Sequence, residues 1–209
     1  MLDSTFLEFH EALKSADYKE KDVSRNGTKK ALADPSRLKP IFSDDEDVLK
    51  AVVETPKGSR NKYAYDEHDH TFTLKRVLPA GMAFPYDFGF FPSTLAEDGD
   101  PLDVLLLMDE PAFCGCVVHC RLVGVIQGEQ EDGKKTNRND RVVAVEDANH
   151  AWANVKHIDD LGKKFIKELE EFFVNYHRLE GKKYRIVGVK GPKTALKSIL
   201  RSMKAAKKS

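Results

Sequence analysis

Between residues 46 and 146 the chain falls into short β-prone segments, and their spacing restricts the fold more than any other feature. The segments read LKAVVET, KYAYD, TFTLKRV, DVLLLM, CVVHCRLVGVIQ and RVVAVE. Each is brief and rich in β-branched or aromatic residues, and turn clusters separate them at short intervals. That pattern predicts an antiparallel sandwich or a small barrel. GEQEDGKKTNRND, between the last two, reads as a polar hairpin loop.

Helical patterns flank this region. Residues 1–45 read as an N-terminal extension with a short amphipathic helix, since Phe6, Phe9 and Leu13 recur at helical spacing. Turn signals follow at Asn26-Gly27 and Asp34-Pro35. Residues 46–209 form the single main domain. In its last third, Leu161, Phe165, Leu169, Phe172, Phe173 and Tyr176 make one apolar helix face, with Gly181 as the stop. KYRIVGVK adds a strand. A final helix places Leu196, Ile199, Leu200 and Met203 on one side and lysines on the other. A basic amphipathic helix can serve membranes or RNA, but a core-packed helix with a solvated face is the plainer reading.

Charge excludes some partners. Lys and Arg number 34, Asp and Glu also 34. The balance argues against bulk attraction to nucleic acid or to an anionic membrane. No apolar run reaches the ~18 residues of a membrane span, and the first residues lack the pattern of a secretory signal. Three cysteines suit a reducing compartment, so a cytoplasmic protein is expected. Cys114, Cys116 and Cys120 with His119 invite a zinc reading. On a strand, however, Cys114, Cys116, Val118 and Cys120 share one face and His119 the other, which predicts an ordinary buried stripe.

The chemistry concentrates in EDGDPLDVLLLMD, residues 97–109. Gly99 permits unusual backbone angles and Pro101 holds Asp100 extended. Asp98 and Asp100 then face one way, and the turn swings Asp103 round to join them, anchored by the apolar run behind. Clustered carboxylates repel and raise one another's pKa values. A hard cation such as Mg²⁺ or Mn²⁺ relieves this, sharing carboxylates with water and phosphate oxygens. An acidic surface hairpin is the bland alternative. An EF-hand loop fails, because Asp103 stands where the invariant glycine belongs. Upstream segments carry Glu54, Lys57, Arg60, Lys62, Lys75 and Arg76. Cations on one side and carboxylates on the other suit a multiply charged phosphate.

These residues carry a resemblance. DGDPLDVLLL is similar to the D-x-D-P-x-D signature of the family I soluble inorganic pyrophosphatases. VVETP with NKYAYD, LKRVLPAGMAFPYDFGFFPSTL, CRLVGVI, RVVAVE and FFVNYHRLEGKKY follow in that family's order, from about residue 50 to 205. The resemblance implies an α+β, mainly β fold: a five-stranded, OB-like closed barrel with flanking helices. It implies hydrolysis of pyrophosphate to two phosphates with Mg²⁺ (or Mn²⁺), by a homo-oligomer. It implies metal ligands at Asp98, Asp100 and Asp103, with Asp100 also the general base. Lys62, Arg76, Arg141 and Tyr176 would hold phosphate. Glu54, Glu129 and Asn139 would edge the metal cluster, with Gln130 as the alternative to Glu129.

Several positions depart from the family pattern. Ala64 stands in place of a glutamate, Phe84 and Phe88 in place of tyrosines, and Arg141 and His177 in place of lysines. The two aspartates of the loop before RVVAVE have only Glu129 or Gln130, and Asn139, as counterparts; Asp140 would point the other way on a strand. These departures keep two rivals in play: a hydrolase of another phosphoanhydride, and a non-catalytic phosphate or metal binder on the same scaffold.

Overall fold

The computed structural model describes residues 34–40, 48–133 and 135–208. The helix expected around Phe6, Phe9 and Leu13 lies outside them. The described strands are β1 (Leu49–Thr55), β2 (Asn61–Asp66), β3 (Thr71–Val77), β4 (Asp87–Phe90), β5 (Asp103–Leu107), β6 (Val117–Asp132), β7 (Lys135–Arg138), β8 (Arg141–Glu146) and β9 (Lys183–Lys190). The helices are α1 (Gly162–Leu179) and α2 (Pro192–Ala206), with short 3-10 helices at Pro35–Arg37 and Ile158–Leu161. The fold is α+β and mainly β.

Strand pairing runs β1-β4-β5-β8-β6, and β6 pairs back onto β1, so five strands form a ring. β7 and β9 extend from the free length of β6, and β2-β3 form a separate hairpin. One pairing departs from the antiparallel expectation: β5 and β8 are parallel, Val104 opposite Val142. The long β6 runs antiparallel to β8 and returns the chain so that β8 re-enters alongside β5.

The unbroken run Val104–Leu107 follows from this arrangement, because both faces of β5 are covered. Val104 and Leu106 pack with Ala195 and Ile199 of α2. Leu105 and Leu107 pack with Phe165, Leu169, Phe173 and Tyr176 of α1. The helical face read from sequence is the buried face, with Phe172 packed at its border.

Two strands escape the sequence reading. β4 is the DFGF stretch, legible only through Gly89: a Cβ there would stand 1.9 Å from the Val52 carbonyl oxygen, so glycine alone lets β4 approach β1. The polar segment after residue 127 is a paired hairpin, not a loop, with Glu129 opposite Arg138 and Asp132 opposite Lys135. The cysteine stripe is half right. Val118 and Cys120 are buried and His119 is exposed, but Cys114 and Cys116 precede the strand and are half-buried. Residues 34–40, expected in the extension, belong to the main packed unit. Ser93 N donates to the Ser36 carbonyl (2.7 Å) and Tyr65 Oη to Asp34 Oδ1 (2.8 Å). Among the described residues no helix is long and apolar enough to cross a membrane.

Candidate active site

The acidic turn is built between β4 and β5. Phe91 N donates to the Leu102 carbonyl (3.0 Å) and closes the hairpin stem. Ala96 N donates to the Asp100 carbonyl at 2.8 Å, Asp100 N to Asp98 Oδ1 at 3.3 Å, and Gly99 takes φ +97°. Such a turn requires glycine at its crest and an Asx side chain to satisfy its backbone. The result presents Asp98, Asp100 and Asp103 to one open cleft of about 520 Å³.

Cations line the same cleft. Lys62 of β2 lies beside Glu54 of β1, Nζ to Oε2 2.9 Å. Glu54 is 8 % exposed, and its other oxygen accepts from Tyr65 N at 2.8 Å. Arg76 of β3 reaches Glu180 at 2.7 Å and stands over the Tyr176 ring. Arg141, the first residue of β8, faces Asp103 Oδ2 at 3.8 Å. Asn139 also lines the cleft and donates to Gln130 Oε1 at 2.8 Å.

Burial, with the charges of Asp98 and Glu54 adding to it, pushes Asp103 up to about 7 against the pull of Arg141 and Lys62. Asp98 is exposed by area yet sits in a concave wall. Desolvation there, followed by the charge of Asp100, raises it as well. Burial alone would raise Glu180, but His177 and Arg76 together hold it below the usual range. Burial, then Glu180, raises Tyr176, so its phenol stays a donor.

The structure thus brings Asp98, Asp100, Asp103, Glu54, Lys62, Arg76, Arg141, Tyr176 and Asn139 to one cleft. It does not bring Glu129. That carboxylate pairs with Arg185 at 2.6 Å and borders a different hollow, because Glu129 and Gln130 point to opposite faces of β6. Gln130 takes the place in the cleft. Asp140 also points away, with Oδ1 accepting from Gly128 N and from Arg138. Sequence reasoning missed Glu180, Lys182 and the burial of His177. They line the cleft from α1 and the turn after it, where helical periodicity gives no signal for a buried polar side chain.

The donor set tests whether a divalent cation fits. Among the described residues no three His, Cys, Asp or Glu side chains converge tightly enough to cage an ion alone. The three aspartates offer only hard oxygens, beside the cations Lys62, Arg76 and Arg141. That combination fits Mg²⁺, which keeps several waters and shares one or two carboxylates with substrate phosphate.

An acidic turn facing Lys62, Arg76 and Arg141 across one cleft defines a protein that handles a small, multiply charged anion together with a hard cation. Residues 51–207 match the family model "Inorganic pyrophosphatase". An inorganic pyrophosphatase of a Nostoc species is 41 % identical over 141 residues, 68 % of this chain and 81 % of that protein. The Thermus thermophilus enzyme is 40 % identical over 152 residues, 73 % of this chain and 85 % of its own. The crystal structure of inorganic pyrophosphatase from Thermus thermophilus superposes with a TM-score of 0.76, covering 84 % of this chain and 99 % of that one at 35 % identity. One from Neisseria gonorrhoeae gives 0.73, covering 81 % and 96 % at 32 % identity. The chain belongs to the inorganic pyrophosphatase family.

Proposed function

We propose that the protein hydrolyses inorganic pyrophosphate to two orthophosphates with the help of Mg²⁺ or Mn²⁺, and that the β1-β4-β5-β8-β6 ring is the family's five-stranded OB-like barrel. One observation carries the functional reading: the three aspartates of a single turn face three separate cations across one cleft. Asp98, Asp100 and Asp103 would hold the metal. When bound, the metal supplies a Lewis acid that acidifies water and neutralises phosphate oxygens.

The chain's own residues do the rest. Lys62, Arg76 and Arg141 balance the phosphate charge, and Tyr176 donates through its phenol. Asp100 is exposed at the lip of the turn and takes the proton of the attacking water. The water oxygen bonds to phosphorus, the bridging P–O bond breaks, and its electrons leave with the second phosphate. Positioned cations stabilise that leaving charge better than they stabilise the ground state. Glu54 is already held by Lys62 and Tyr65 N, and it orients Lys62. Three free cysteines support a cytoplasmic setting, and exposed apolar side chains such as Phe113 support a homo-oligomer.

The test is phosphate release from pyrophosphate by the purified protein. Turnover is expected with Mg²⁺ and should stop on adding EDTA. Equal rates with and without chelator refute the metal-dependent reading. Tight pyrophosphate binding without turnover would establish the binder instead.

A further inference from the structure

Arg141 is the most enclosed cation of the cleft. Its side chain is 3 % exposed. The guanidinium lies against two rings, Phe173 at 4.1 Å and Tyr184 at 4.7 Å. Nη1 donates to the Asn139 carbonyl at 3.2 Å, and Nη2 meets His177 Nε2 at 2.9 Å. A guanidinium only donates, so Nε2 must offer its lone pair, and His177 is neutral with its proton on Nδ1. Nδ1 lies 3.4 Å from Glu180 Oε2, a charge contact without hydrogen-bond geometry, while Glu180 Oε1 meets Arg76 at 2.7 Å. The imidazole also stacks on Tyr184, centroids 4.7 Å apart and planes within 18°. Two side chains, Glu180 and His177, thus stand between the arginines of the cleft, Arg76 and Arg141.

We propose that His177 is the positioning residue of Arg141: a neutral imidazole, stacked on Tyr184 beside Glu180, that accepts from the guanidinium and fixes where the arginine's remaining donors face. Positions 141 and 177 then form a matched pair, in which arginine at 141 requires an acceptor at 177. The proposal rests on the reading that Arg141 holds phosphate. Lysine at 177 would replace the acceptor with an ammonium beside an enclosed guanidinium, and like charges there repel. Glutamine keeps an acceptor oxygen. Leucine removes the acceptor but adds no charge.

Two measurements on the Mg²⁺-loaded protein test it. In ¹⁵N-histidine spectra at neutral pH, His177 should show an unprotonated Nε2 and a protonated Nδ1. A doubly protonated ring overturns the proposal whatever the activity. In pyrophosphate kinetics, His177→Gln should keep KM within about threefold of wild type. His177→Leu and His177→Lys should raise KM by about tenfold or more, ~1.4 kcal/mol, with kcat changed less. Arg141→Lys/His177→Lys should be less impaired than His177→Lys alone. Equal KM values for the glutamine, leucine and lysine variants would mean that His177 only fills space. If wild type released no phosphate, the proposed activity would fail while the spectra still decided the pair.

Discussion

The Glu54–Lys62 pair gives the most direct test of the cleft's electrostatics. The two side chains are 11 % and 12 % exposed, with Nζ to Oε2 at 2.9 Å. Glu54→Gln preserves shape and an acceptor for Tyr65 N, but leaves the Lys62 ammonium enclosed without its counter-charge. Removing one partner of a buried pair costs ~3–5 kcal/mol. Lys62 keeps Asp103 within electrostatic reach, which favours the lower end, about 3 kcal/mol. For a domain of this size each kcal/mol moves Tm by ~2–4 °C, so a fall of roughly 6–12 °C is expected. The assay is calorimetry in EDTA, which removes any contribution from bound metal. Lys62→Met/Glu54→Gln should recover much of the loss, because both charges are then gone and the methionine still packs over Phe88. A Tm within about 1 °C of wild type for Glu54→Gln would show that Lys62 is effectively solvated, and the enclosed-cation account of the cleft would be wrong.

Three further outcomes are expected. Asp100→Asn should lower kcat by ~10²–10⁴-fold with little change in fold, and near-normal turnover would remove Asp100 from the general-base role. Asp103 has its folded pKa raised to about 7 from an ordinary 3.8, so the folded state favours its protonated form. Its ionisation therefore weakens the metal-free protein progressively as pH rises from about 4 to about 7; the Tm gain from Mg²⁺ should be larger at pH 8 than at pH 5, and a gain independent of pH, or unchanged in Asp103→Asn, refutes this. Phe88→Tyr adds a phenol at a cleft position where the family resemblance implies one. It should raise kcat/KM on pyrophosphate by about tenfold through one hydrogen bond to a charged group; an unchanged or lower value rejects the missing-donor idea.

The acidic turn was the most legible part of the molecule. Its glycine, proline and aspartates specify a local geometry that needs no knowledge of the rest of the chain. Helix α1 was legible for the same reason, since its apolar face is periodic. β4 was not: four residues are too few for a pattern, and the need for Gly89 arises from the Val52 carbonyl of another strand. The β6–β7 hairpin was hidden because its polar residues face solvent and one another. Which of Glu129 and Gln130 enters the cleft depends on register, and a one-residue difference reverses the face. In the link from Arg76 through Glu180 and His177 to Arg141, only the His177–Glu180 contact is local, three residues apart at one helix end; the other two are tertiary. Arg76 and Arg141 lie more than 30 residues from the other two in sequence, and no spacing rule brings them in.

The substituted positions share a physical theme that sequence order conceals. Phe84 and Phe88, where the family resemblance implies phenols, join Phe172, Phe173, Tyr176 and Tyr184 in one aromatic layer beneath the cleft. Each of the three cations Lys62, Arg76 and Arg141 rests on a ring of that layer. Lys62 Nζ stands 4.3 Å from the Phe88 centroid, Arg76 5.7 Å from that of Tyr176, and Arg141 lies against Phe173 and Tyr184. A cation over a ring face gains ~0.5–2 kcal/mol, more as it is desolvated. The same rings keep water from beneath the charged groups, which strengthens their field in the cleft above. A phenylalanine in place of tyrosine therefore removes a hydrogen-bond donor while leaving this support in place. The aromatic layer keeps the cations apart, and the acidic turn stands opposite them across the cleft, so the separation of cations from carboxylates does not depend on phenols at positions 84 and 88.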